Sequence, residues 1–131
     1  MTKAQQLNLA IQLASTAHAN QKERDGRPYV GHSLRVMEAM PTNDFDARAV
    51  AVLHDVVEDT LASIDDLIDA GFSIRVVEAV RTLTISKGEH YTKYIENISK
   101  CPLATRVKLA DLMDNMDITR LPKLGKRDNG S

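Results

Sequence analysis

The sequence predicts an all-α fold, a compact bundle of about six or seven helices. Three observations lead there. The chain has 131 residues, the size of one domain able to bury its own core. Its 43% apolar content is aliphatic, with two Phe, three Tyr and no Trp, which suits helix packing better than an aromatic sandwich. Apolar residues recur at helical spacing in segment after segment, with no alternating strand pattern and no internal repeat.

The elements follow in order. Thr2 with Gln5 reads as a capping box, and Leu7, Ala10, Ile11, Ala14 and His18 continue a first helix to about Gln21. In KERDGRPYVGH, Gly26, Pro28 and Gly31 stand among charges and predict a loop that delivers His32. A second helix is expected over about Ser33 to Met40, and Pro41 and Asn43 mark the turn before a third that starts near Asp44. Ser63 with Asp66 opens a fourth that Gly71 closes. Ile74, Val77 and Val80 mark a fifth; Tyr91, Tyr94, Ile95 and Ile98 mark a sixth. Pro102 suits the first turn of a last helix reaching about Ile118, after which periodicity is lost. Residues 1–121 therefore read as one domain and 122–131 as a flexible tail.

Seventeen basic and 18 acidic residues leave a formal charge of −1, so no electrostatic footprint for nucleic acid or an anionic membrane is expected. Cys101 stands alone, and the first residues have neither the apolar core of a signal peptide nor the length of a membrane span. A cytoplasmic protein acting on a small molecule is the expectation; the oligomeric state is not legible.

Chemistry enters through misplaced polarity. In ARAVAVLHDVV, residues 47–57, only Arg48, His54 and Asp55 are polar, so the third helix is apolar on nearly every face and central. An ionised carboxylate buried there costs several kcal/mol or more unless it is paired or bound to a cation. Glu58 and Asp59 follow His54 and Asp55 by four residues each, predicting two pairs stacked on one side of that helix. In the last helix Leu103, Val107 and Ala110 form one apolar stripe, and Leu109, Leu112, Met113 and Met116 a second. Asp111 falls within the first, making it another candidate buried carboxylate, with Asp114 and Asn115 close by on the same helix.

Taken together these blocks resemble the hydrolase half of the RelA/SpoT alarmone enzymes and their stand-alone small alarmone hydrolases, within the HD superfamily. The first block is Ala17-His18, Gln21, Gly26, Pro28-Tyr29 and His32; the second is LHDVVEDT, Leu53 to Thr60; the third is KLADLMDNM, Lys108 to Met116. The resemblance runs from residue 4 to about 121. It implies that His32, His54, Asp55 and Asp111 hold one divalent ion, usually Mn2+, a set of imidazoles and carboxylates suited to such a borderline ion. It implies Glu58 and Asp59 as a catalytic acid pair and Arg24 and Asn115 as substrate contacts. The implied reaction removes the 3′-diphosphate from guanosine 3′,5′-bis(diphosphate) or the pentaphosphate, through water activated at the metal. Four positions depart from the pattern: Glu23 where a basic residue is usual, Leu112 for Arg, Asp114 for His, and Ile118 for a substrate-binding Thr, with Thr119 beside it. The substrate cradle is thus more acidic than the family's. Two alternatives stand beside this reading: an HD-type phosphatase or pyrophosphohydrolase on another nucleotide, and a non-catalytic nucleotide-sensing domain.

Overall fold

A computed structural model describes residues 1–117; the expectations placed on Ile118, Thr119 and the tail beyond Leu121 lie outside the described residues. Helix α1 (Lys3–Ala17) opens with the expected capping box, in which the Thr2 hydroxyl accepts from Gln5 N–H at 3.1 Å and Thr2 N–H donates to Gln5 Oε1 at 2.7 Å. It ends about four residues before the predicted Gln21. The His18 ring turns inward as the cap and holds Gln21 Oε1 at 2.7 Å, while Gln21 C=O accepts from Tyr29 N–H, which closes a short hairpin with an isolated Lys22–Pro28 bridge.

Helix α2 (Val30–Glu38) starts three residues earlier than expected and includes His32. Pro28 and Tyr29 already wind the chain, since their carbonyls accept from Gly31 and His32 N–H at 3.0 Å each. His32 therefore stands on the first turn of a helix, not on the loop. Gly31 does not break it.

Helix α3 (Phe45–Leu53), capped by Asp44, is the centre of the molecule and packs against α1, α2, α6 (Ile74–Leu83) and α8 (Pro102–Asn115). Ala49, Val50, Ala51, Val52 and Leu53 have no exposed surface. Each Val or Leu so buried contributes about 1.5–3 kcal/mol. The predicted continuation of this helix is interrupted at His54 and Asp55, and α4 (Val56–Asp59) follows. The cause is local: His54 Nδ1 donates to the Ala51 carbonyl at 2.6 Å, taking the acceptor that Asp55 N–H would use in an unbroken helix.

The short α5 (Ile64–Asp69) begins at the Ser63–Asp66 capping box and ends before Gly71, whose φ of 95° lies in the left-handed region that glycine enters freely. Helix α7 (Tyr91–Ser99) then leads to α8, which carries Pro102 in its first turn. Eight helical segments occur among the described residues; with α3 and α4 taken as one interrupted helix, the bundle is the expected all-α one. Only one stripe of α8 faces the core, with Leu103, Ala104, Val107 and Asp111 buried. The second stripe, Leu109, Leu112, Met113 and Met116, is exposed, because α2, α3, α6 and α7 meet α8 from its buried side. No described helix is long and apolar enough to cross a membrane.

Candidate metal centre

Three segments bring His32, His54, Asp55 and Asp111 together: the first turn of α2, the break after α3, and the third turn of α8. One ligand atom from each lies within 4.8 Å of all the others. The break matters for this. Consecutive residues of a regular helix do not face each other, yet His54 Nε2 lies 2.9 Å from Asp55 Oδ2. Asp111 Oδ1 is the shared point, 2.8 Å from His32 Nε2 and 3.1 Å from His54 Nε2.

Whether such a set fits a cation can be judged from its hydrogens. His54 Nδ1–H is committed to the Ala51 carbonyl, and His32 Nδ1 lies 2.6 Å from Asp114 Oδ2, an acceptor. Both imidazoles thus turn Nε2 inward, and each meets carboxylate oxygen there. A lone pair facing an oxygen is repulsive, so each contact needs a proton or a cation between them. One divalent ion satisfies both nitrogens and both carboxylates at once, and the back-side partners are those that orient metal-binding histidines. The donor set fits a metal.

The same contacts set the electrostatics of the cluster, whose acids call for positive charge between them. Burial opposes charge on His54, but its hydrogen bonds to Asp111 and Asp55 outweigh this and push it up to about 10. Burial also opposes charge on Asp111, yet His32 and His54 hold it well below the usual carboxylate range. Asp55 is lowered too, against burial, by His54 and by the Tyr29 hydroxyl, which donates to its Oδ2 at 2.5 Å. Lys108 Nζ reaches Asp111 Oδ2 at 3.4 Å and Asn115 Nδ2 reaches Oδ1 at 3.3 Å.

Glu58 and Asp59 sit on α4 beside this cluster but turn to different partners. Glu58 Oε1 accepts from Ile85 N–H at 3.0 Å, and Asp59 Oδ2 from Gln21 Nε2 at 3.3 Å. The predicted stack of two pairs along one helix side is therefore not what forms, because the helix it assumed is broken between them. Burial and then the charge of Asp55 raise the carboxyl of Asp59. Arg24 and Asn115 line one cleft of about 170 Å3 together with Lys22, Glu23, Asp25, Tyr29, His32 and Asp117. Asp59 also borders a larger, mainly apolar groove of about 840 Å3, with Leu9, Leu13 and Leu61.

Residues 10–125 match the family model described as the HD domain. The chain belongs to the HD-domain family. This HD domain is 36% identical over 118 residues to the Drosophila melanogaster guanosine-3′,5′-bis(diphosphate) 3′-pyrophosphohydrolase MESH1, covering 81% of the chain and 65% of that protein. It is 31% identical over 123 residues to the Aquifex aeolicus protein named guanosine-3′,5′-bis(diphosphate) 3′-pyrophosphohydrolase, covering 86% of the chain but 18% of that protein. A solved structure, described as a metazoan ortholog of SpoT that hydrolyzes ppGpp and plays a role in starvation responses, superposes with a TM-score of 0.75 at 33% identity. That match covers 95% of the HD domain and 76% of the solved chain. The HD domain thus spans less than two thirds of the length of these two named relatives.

Sequence reasoning missed Arg35 and the contact of Asp114 with His32 Nδ1. Arg35 Nε donates to Asp114 Oδ1 at 2.8 Å, and its Nη2 contacts Glu23. A signal existed, since Arg35 follows His32 by three residues and so shares its helix face.

Proposed function

We propose that the chain is a metal-dependent phosphohydrolase that cleaves the 3′-diphosphate from guanosine 3′,5′-bis(diphosphate) or the pentaphosphate, giving GDP or GTP and pyrophosphate. The observation that carries this is the four-residue cluster with both Nδ1 atoms tied back, one of whose members, His32, lines a cleft together with Arg24, Tyr29 and Asn115. The names of the relatives supply the substrate.

In this reading His32, His54, Asp55 and Asp111 hold one divalent ion, Mn2+ by proposal. When bound, such an ion supplies Lewis acidity that favours hydroxide over water and neutralises phosphoryl charge. The chain does the rest. Tyr29, kept protonated because burial and the Asp55 charge push its hydroxyl well above its ordinary value, holds Asp55 in place. Lys22 and Arg24 at the cleft receive the anionic phosphates, and Asn115 contacts the nucleoside. Water attacks the 3′-phosphorus, the bond from phosphorus to the ribose 3′-oxygen breaks, and that oxygen takes up a proton. Asp59, raised by burial and by Asp55, is the carboxyl suited to give that proton. Glu58, one turn beyond the cluster, is assigned to the attacking water.

A second reading, hydrolysis of a different nucleotide, is favoured by one observation: Glu23, Asp25 and Asp117 line the same cleft as Lys22 and Arg24. A substrate panel with added Mn2+ separates the two. Pyrophosphate release from the guanosine bis(diphosphate), abolished by chelator, is the expected result. Orthophosphate release from another nucleotide with no turnover of the alarmone would replace the first reading by the second.

A further inference from the structure

The two departures from the family pattern that make the cradle acidic, Glu23 and Asp114, are not independent. Both are held by Arg35. Its Nε and Nη2 donate to Asp114 Oδ1 and Oδ2 at 2.8 and 3.2 Å, and Nη2 also contacts Glu23 Oε1. The guanidinium is a rigid fork that spans two carboxylates where an ammonium would act as a point charge. Asp114 in turn faces the back of a candidate ligand, with Oδ2 2.6 Å from His32 Nδ1. His32 is 2% exposed, so its ring has little freedom beyond what this contact allows.

Gly31 supplies a second, independent observation. It lies in the first turn of α2 without a positive φ, so no left-handed turn requires a glycine there. A Cβ there would stand 3.2 Å from Arg35 Nη1 and 3.2 Å from Glu23 Oε2. The glycine leaves room for the guanidinium–carboxylate pair to cross the helix.

Resting on the four-ligand site of the proposed function, we propose that Asp114, gripped by Arg35, is a positioning residue that aims His32 at the metal, while Glu23 on the same guanidinium ties the hairpin of residues 22–28 to that centre. The division of labour is specific. Asp114 acts on the metal through His32. Glu23 acts on the loop that carries Arg24, whose backbone is closed by Glu23 N–H to the Arg27 carbonyl at 2.8 Å and Gly26 N–H to the Glu23 carbonyl at 2.9 Å. Gly31 keeps the two acids on one cation.

The test is Mn2+ titration of the full chain by calorimetry, with hydrogen exchange of the backbone amides of residues 23–29 as a readout independent of turnover. Asp114→Ala is expected to weaken Mn2+ binding by about 10–100-fold, the usual effect of removing a back-side partner of a ligand. Asp114→Asn keeps an oxygen that accepts from Nδ1–H and is expected to recover most of that loss. Glu23→Gln should leave Mn2+ affinity within about twofold, far from the ligand effect, while exchange at residues 23–29 quickens. Gly31→Ala should quicken the same exchange. Wild-type Mn2+ affinity in Asp114→Ala overturns the positioning role, as does an Asp114→Asn protein as weak as Asp114→Ala. Equal Mn2+ losses in Glu23→Gln and Asp114→Ala overturn the division between them. A wild-type chain that takes up no Mn2+ removes the four-ligand site itself, which is a distinct failure.

Discussion

Helix α3 has an acid near each end, Asp46 buried and Asp55 half-buried, and the two are compensated by different means. In its first turn Asp46 accepts from Lys3 Nζ at 2.8 Å, Arg75 Nη1 at 3.1 Å and Gln6 Nε2 at 3.0 Å, while Gln6 Oε1 accepts from Ser73 N–H. Two permanent cations serve one carboxylate there, and the contacts join α1, α3 and α6. Just past its last turn, Asp111 meets one permanent cation, Lys108 at 3.4 Å, while Asp55 meets the His54 imidazole and the Tyr29 hydroxyl. The first cluster is complete within the chain. The second is short of permanent positive charge, a shortfall that a divalent ion would fill.

The strongest way to break this comparison is to remove one acid from each end. Asp111→Ala is expected to abolish Mn2+ uptake and turnover, whereas Asp46→Ala should bind metal in wild-type amount; elemental analysis of both proteins decides it. Metal loss in Asp46→Ala would erase the distinction. A large effect is also expected one turn away, where Asp59→Asn and Glu58→Gln should retain metal yet lose about 10²–10⁴ in turnover, the usual worth of general acid–base participation. Near-normal pyrophosphate release from both would leave the acid pair without a role.

Chelation sharpens the contrast further. Stripping the ion leaves the Asp55–Asp111 end under-compensated and removes linkage stabilisation, about 2.7 kcal/mol when metal stands at a hundred times its Kd. The melting temperature should fall with chelator in wild type and not in Asp111→Ala. At the other end, Asp46→Ala should cost about 1.5–3 kcal/mol, the range for hydrogen bonds to charged groups, whether or not metal is present. Burial raises the Asp46 carboxyl, but Lys3 and Arg75 outweigh it and its value lies below 3.8. A depressed carboxylate stabilises fully above its unfolded value and loses that contribution as pH falls through the folded one. Melting curves of wild type and Asp46→Ala should therefore converge below pH 3.8, and a constant gap down to strong acid would mean that charge is not what Asp46 contributes. The smallest effect is expected at Arg24, where Arg24→Ala should raise KM more than it lowers kcat, the mark of uniform binding lost.

The all-α class was legible because helical periodicity and caps are local: both capping boxes, the Gly71 stop and Pro102 at the start of α8 stand where the residues place them. So was the oddity of His54, Asp55 and Asp111, since a polar residue in an apolar run is visible without coordinates. What was not legible depends on contacts between distant residues or on one side chain competing with the backbone. The break at His54 arises because its ring takes the Ala51 carbonyl, and periodicity counts only polarity. The early start of α2 follows from Pro28 and Tyr29 carbonyls that begin the winding, against the ordinary meaning of Gly31. Asp114 and Glu23 read as an acidic excess because Arg35, 79 and 12 residues away from them, carried no local mark of its partners.

The interruption of α3 has one further effect, through the peptide dipoles. Aligned peptide units leave about half a negative charge at a helix C-terminus. Because α3 stops at Leu53 and does not run on to Asp59, that end of its field falls beside His54 and Asp55 and not a turn and a half beyond them. A cation placed there gains roughly 0.3–1 kcal/mol in the ordinary case, a factor of about two to five in affinity by the usual conversion. The opposite end, where the field is positive, carries Asp46. The nine residues of α3 are thus oriented so that the positive end meets Asp46, while the negative end adds to the charge of Asp55 and makes a cation the favoured occupant there.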